Sequence, residues 1–255
     1  MKTFDQFANQ ISSIPLSTSW YLADLGEARG KQELFTRQSP QKLKALRENA
    51  IIESAISSNR IEGIEIEKER IGTVIFGRSV LHDRSEEEIR GYRDALKLIH
   101  EQGKNVVLTE DLIRELHYLS RAKTGDAGQY KNYENDIIEK YADGTSRIRF
   151  SAISPEQTPE FTRKLVESWH RCLNENWVHP LIALAAFNLD FLCIHPFRDG
   201  NGRVSRLLFL LQSYQLGYEV GRYISLEKQI EENKERYYET LEQSSNGWQD
   251  RKSVV

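Results

Sequence analysis

Residues 195 to 206 read His195-Pro196-Phe197-Arg198-Asp199-Gly200-Asn201-Gly202-Arg203-Val204-Ser205-Arg206. They bring together a base, a carboxylate, a Gly-Asn-Gly turn and two arginines three positions apart. An imidazole serves as a general base near neutral pH. Gly200 and Gly202 open conformations closed to other residues, so the backbone can approach a ligand closely. A helix starting at this turn offers unpaired N–H groups and a partial positive charge, and so binds anions. Successive N–H groups in the turn add a concave nest. Arg203 and Arg206 fall on one helical face, and two guanidiniums suit an extended polyphosphate better than a single carboxylate. Asp199 belongs beside phosphates only with a cation between them, and Mg²⁺ takes one or two carboxylates together with phosphate oxygens. Phe197 has no such chemistry and reads as the anchor of the loop. Each of these residues alone has a structural use, as a cap, a turn or an ion pair. No structural role calls for all of them at once.

Two helices must hold this loop. Leu181 to Ile194 is almost wholly apolar, as a buried helix would be. Val204 to Leu216 continues as a second helix, with Gly217 as its stop.

The run HPFRDGNGRVSR resembles the signature of the Fic family, HPF-x-(D/E)-GN-G-R-x-x-R, at every fixed position. The resemblance implies an all-α Fic fold, a helical bundle with a β-hairpin flap. It also implies a nucleotidyltransferase that moves AMP from ATP to a Ser, Thr or Tyr hydroxyl of a target protein. His195 would then deprotonate that hydroxyl and Asp199 would hold Mg²⁺. Asn201 and the Gly200–Gly202 backbone would cradle the α-phosphate, and Arg203 and Arg206 would take the β- and γ-phosphates.

A second stretch, Ser58-Asn59-Arg60-Ile61-Glu62-Gly63, closes a helix that Ser39-Pro40 opens. Ser58 and Glu62 share a face one turn apart. Glu62 stands at the negative end of the helix dipole, so it points into water or meets a cation. The pattern resembles the Fic inhibitory motif, (S/T)-x-x-x-E-(G/N). By that resemblance Glu62 pairs with Arg206 and keeps it from orienting the γ-phosphate.

The chain has 255 residues and a net charge of −3, so charge gives no argument for nucleic acid or an anionic membrane. Cys172 and Cys193 read as buried, reduced thiols. The N-terminus lacks an apolar signal core, and the most apolar run is too short to span a bilayer. These features suit a cytoplasmic, ATP-containing compartment.

Along the chain, the spacing predicts about eight helices. A short one covers residues 4 to 14, with Pro15 to Thr18 breaking the chain. Trp20 to Thr36 forms the next, and Ser85 and Thr109 each cap another. Asp136 to Tyr141 and Ser146 to Ser151 flank an Asp-Gly turn and read as a hairpin. By resemblance the hairpin is the flap that docks the target segment by strand pairing; an inert loop is the other reading. Gly128-Gln129-Tyr130-Lys131 resembles the family's G-x-Y/F-R segment, with Lys in place of Arg. Pro159 to Asn176 is helical, and His179-Pro180 opens the apolar helix. A last helix starts at Ser225 and carries Asn233, Tyr237 and Tyr238. Its aromatics read as core packing, or as a wall of the adenine pocket that includes Asn233 and Tyr237. The division expected is an N-terminal helical region over 1–84 with the inhibitory motif, a catalytic core over 85–245, and a frayed tail over 246–255. Rival functions keep the fold but move UMP, phosphate or phosphocholine, or remove AMP from a modified protein. A non-catalytic nucleotide-sensing module is a further rival. A target protein is the implied partner; self-modification and a homodimer stay open.

Overall fold

Apolar periodicity resolves into helices that pack around the run Leu181 to Ile194. The computed structural model describes residues 2–9, 13–37, 39–77, 80–123, 125–140 and 144–248. Among the described residues there are eleven α-helices and one two-stranded hairpin. The helices before the hairpin are α1 (Lys2–Ala8), α2 (Leu16–Thr36), α3 (Pro40–Ile61), α4 (Ile71–Phe76), α5 (Arg84–Gln102) and α6 (Glu110–Ser120). The hairpin pairs β1 (Ile137–Lys140) antiparallel with β2 (Ser146–Phe150). After it come α7 (Thr158–Asn174), α8 (Pro180–Ile194), α9 (Asn201–Gln215), α10 (Leu226–Glu232) and α11 (Lys234–Ser245).

Local chemistry sets most of these ends. Ser39 accepts from the Lys42 N–H, Thr109 from Leu112 and His179 from Leu181, each at a helix N-terminus as expected. Gly63 and Gly217 leave their helices with φ of 80° and 84°, a region that favours glycine. Other ends differ from the sequence reading. Pro15 begins α2 rather than breaking the chain through Thr18, because a proline lacks only an N–H that a helix start leaves unpaired. Asp83, not Ser85, caps α5 by accepting from Glu86. The expected last helix breaks at Asn233, whose φ of −121° separates α10 from α11. That break and the short α4 add to the helices expected, and the expected helix over 4 to 14 lies at Lys2–Ala8.

The core is built on α8. Ala183, Leu184, Phe187, Phe191 and Ile194 are buried in one apolar cluster with Val204, Leu207, Leu208 and Leu211 of α9 and Ile89, Tyr92 and Leu96 of α5. Phe4, Ala55 and Val74 belong to the same apolar cluster, so the N-terminal helices share one core with the rest. Residues 246–248 are not frayed: the Trp248 indole is buried. Residues 249–255 and the hairpin-turn residues Ala142 and Asp143 lie outside the described residues. Among the described residues, no helix is long and apolar enough to cross a membrane.

Asp190 ties both ends of the described chain to α8. Its Oδ1 accepts from Thr3 Oγ1 and from Trp248 Nε1, each at 2.6 Å. Burial pushes this carboxyl up from 3.8 to about 6, against those two hydrogen bonds. The folded state then holds the proton more tightly than the unfolded chain, so stability is lost as pH rises from about 4 to about 6. Asp190→Asn keeps an acceptor oxygen and removes that loss. We expect the variant to exceed the wild type by about 3 kcal/mol at pH 8 and by little at pH 4, measured by urea unfolding. An equal difference at both pH values would refute this account.

Candidate active site

The loop between α8 and α9 is folded by its own residues. The chain leaves α8 at His195 with φ 51° and ψ 60°, a left-handed conformation that costs a non-glycine residue roughly 1–2 kcal/mol. The ring of Phe197 is fully buried and stacks on His117 with centroids 3.8 Å apart. Asn201 closes the loop on itself: its Oδ1 accepts from Phe197 N at 2.9 Å and its Nδ2 donates to Phe197 O at 2.7 Å. Its side-chain oxygen and nitrogen are thus both engaged within the loop. Its place at the first turn of α9 still leaves the backbone to meet an anion. Gly200 precedes it with φ 83°, and no side chain caps the helix there.

The two arginines part company. Arg203 is 1% exposed and donates to Glu88 Oε2 at 2.6 Å and Asn59 Oδ1 at 3.2 Å. Glu88 Oε1 in turn accepts from Arg121 at 2.7 Å and Arg84 at 2.8 Å, and Arg121 reaches on to Asp199 Oδ2 at 2.7 Å. Arg203 therefore belongs to a buried ion network and is not among the residues lining the cavity described below. Arg206 faces the end of α3. It donates to Glu62 Oε1 at 2.7 Å, to Ser58 Oγ at 2.8 Å and to Ser58 O at 2.9 Å. The Glu62 carboxylate lies where a Cβ on Gly202 would stand, so a glycine is required there for this pairing.

A cavity of about 250 Å³ opens beside these groups. His195, Gly202, Glu62 and Arg206 lie on one side of it, and Leu192 and Cys193 of α8 line its base. Tyr237 and Tyr238 of α11 and Phe150 of β2 form apolar walls. Arg149 crosses from β2 to α11, donating to Tyr238 O at 2.8 Å and to Glu242 Oε2 at 2.9 Å. Asn233 is not part of this lining. It sits at the break between α10 and α11, exposed, with its amide turned back onto Gln229 O. Both thiols are free and buried.

Electrostatics suit proton transfer and anion binding. Burial, then the Lys131 charge, lower the His195 imidazole to about 4, so it is neutral and able to accept a proton at pH 7. Burial alone would raise Asp199, but the guanidiniums of Arg121 and Arg203 bring it below its usual value. The Asp199 side chain is 56% exposed. A single accessible carboxylate next to an anion site is a donor set that fits Mg²⁺ bound jointly with phosphates, with Oδ2 shared with Arg121.

Glu88, Arg121, His117 and Lys131 are parts of the site that the sequence alone did not single out for a role. His117 Nε2 lies 3.0 Å from Asp199 O, and its Nδ1 accepts from Gly128 N at 2.8 Å. The one local signal was the Gly128–Lys131 segment.

Residues 107–213 match the Fic/DOC family, a range that holds α6, the hairpin and the loop but not α3. The chain is 27% identical over 150 residues to protein adenylyltransferase fic-1 of Caenorhabditis elegans, covering 58% of this chain and 27% of that protein. It is 25% identical over 238 residues to protein adenylyltransferase Fic of Nematostella vectensis, covering 89% of this chain and 50% of that protein. The chain thus spans half or less of the length of these two relatives. A solved Fic-domain-containing signaling protein from Bacteroides thetaiotaomicron is similar at a TM-score of 0.69 and 26% identity, over 85% of this chain and 80% of that one. The all-helical Fic fold is shared with it.

Removing the charge of Glu88 would strand buried guanidiniums. We expect Glu88→Gln to cost about 3 kcal/mol or more in denaturant unfolding, the scale of breaking a buried ion pair. A loss under about 1 kcal/mol, as for an exposed pair, would show that Glu88 is dispensable.

Proposed function

Because the chain carries a Fic/DOC family domain, we propose that it is a protein adenylyltransferase. It transfers AMP from ATP to a Ser, Thr or Tyr hydroxyl of a target protein, and Glu62 holds it down. The observation that carries this reading is the Arg206–Glu62 pair, set on the wall of the same cavity that His195 lines.

The triphosphate runs from the cavity along the N-terminus of α9. The base lies among Leu192, Tyr237 and Tyr238, and the phosphates meet the Gly200–Gly202 backbone. Asp199 is the residue that would hold Mg²⁺, which supplies charge neutralisation on the phosphate oxygens when bound. His195 takes the hydroxyl proton as the target oxygen bonds to the α-phosphorus. The bond to the β-phosphate oxygen breaks and pyrophosphate leaves. The hairpin beside the cavity offers its edge to an extended target segment. Arg206 orients the γ-phosphate only when released by Glu62. While paired, it leaves the triphosphate poorly aligned for in-line attack, which costs rate rather than folding. Soluble targets in an ATP-containing cytoplasm suit this chemistry.

The test is incubation with α-³²P-labelled ATP and Mg²⁺, alone and with lysate proteins. We expect covalent label to rise about tenfold or more in Glu62→Gly, each factor of ten reflecting about 1.4 kcal/mol of relieved competition. The double variant Glu62→Gly/His195→Ala should return it to background. Absence of label in every variant would overturn AMP transfer. Equal label in wild type and Glu62→Gly would overturn the restraint by Glu62.

A further inference from the structure

His195 must hold a left-handed backbone, and something must hold it there. The carbonyls on both sides of it accept from one residue. Lys131 donates its backbone N–H to Pro196 O at 2.9 Å and its Nζ to Ile194 O at 3.2 Å. The His195 N–H itself closes α8 onto Phe191 O at 3.0 Å, and its Nδ1 lies 3.3 Å from Leu192 O. Lys131 is 4% exposed, a costly place for an ammonium, and its bond to Ile194 O offsets part of that cost. Its segment is fixed: Gly128 bonds His117 and Arg114, and Asn135 donates to Phe197 O and Arg198 O at 3.2 and 2.8 Å. The strand of chain from Gly128 to Asn135 thus runs along the loop, with Lys131 opposite His195.

We propose that Lys131 is the positioning residue of His195, gripping the backbone on both sides of it and setting a positive charge beside its imidazole. The proposal rests on His195 as the base of the transfer reaction.

The two effects of Lys131 are separable. The grip needs a donor at the end of the side chain. The charge disfavours the imidazolium, so that the ring is free to take the hydroxyl proton. Glu62 from α3 and Asp199 from the loop act in the opposite sense on His195, and Glu134 and Asp136 favour the charged form of Lys131. Burial lowers Lys131 to about 8 against them, so its charge is present at neutral pH and below, where the state of His195 is decided.

The experiment uses the full chain in the Glu62→Gly background, with Lys131→Gln, Lys131→Met and Lys131→Arg. Gln keeps a donor without the charge, Met removes both, and Arg keeps both. Circular dichroism selects the variants that fold. The first readout is the His195 titration by NMR of ¹⁵N-histidine-labelled protein, assigned with His195→Gln. The second is the pH profile of labelling from α-³²P-ATP. We expect the His195 titration to move up by about one unit in Lys131→Gln and Lys131→Met. The acid limb of the labelling profile should move with it, and Lys131→Arg should restore both. An unchanged His195 titration in folded Lys131→Gln or Lys131→Met overturns the proposal, whatever the labelling does. A shifted titration with no label in any variant supports the placement of Lys131 and overturns AMP transfer instead.

Discussion

The buried carboxylate of Glu88 constrains the whole site. A carboxylate taken out of water costs several kcal/mol unless its oxygens are matched by cations in good geometry. Here Arg84, Arg121 and Arg203 meet it, drawn from α5, the end of α6 and the first turn of α9. Arg121 then passes the connection to Asp199, so the loop is bound into the network at two points. The shape of the Gly200–Gly202 turn is the one that lets Arg203 and Asp199 reach these partners together. Gly200 serves the same end, since a side chain there would press on Arg121 and His117. The precision of the anion site at the start of α9 follows from satisfying one charge on α5.

What could be read from sequence was local, and what could not was long-range. Ser39, Thr109 and His179 each act within three residues, and a side chain that accepts from its own helix start leaves a signal in its neighbours. The same holds for Gly63 and Gly217, where backbone conformation selects the residue. Glu86 and Glu88 stand near the N-terminus of α5, where an acid favours the helix dipole from a solvated position. Both are buried, Glu86 on Arg70 and Glu88 on three arginines. The first partner lies 16 residues away and Arg203 lies 115 away, and no periodicity encodes such a pairing. The candidate loop was legible because so many of its residues are adjacent. Its support His117 was not, because a lone His in a helix has no pattern of its own, and the segment that ends in Lys131 gave no sign of a partner 63 residues on.

Asn201 and Asn233 show a second limit. Residue type gave a correct sense that each was special, but the specialty was structural. Asn201 has both a donor and an acceptor, and a tight turn that exposes both groups of one peptide will consume them. Asn233 ends a helix, where an amide competes well for a free carbonyl. In each case a backbone group within four residues takes the amide.

The contrast between Arg203 and Arg206 turns this limit into a statement about regulation. Both are buried and both are paired, and the sequence resemblance singled out only Arg206 as the partner of Glu62. Arg203 is paired with a carboxylate that is itself buried and shared with two other guanidiniums, so neither partner can leave without stranding a charge. Arg206 is paired with Glu62, whose side chain is 27% exposed and stands on the last turn of α3. That carboxylate is part-exposed, and Ser58 gives the guanidinium two further hydrogen bonds that do not depend on it. On the proposed function, a triphosphate reaching Arg206 would compete with one part-exposed carboxylate, whereas Arg203 is held by a carboxylate that is itself buried.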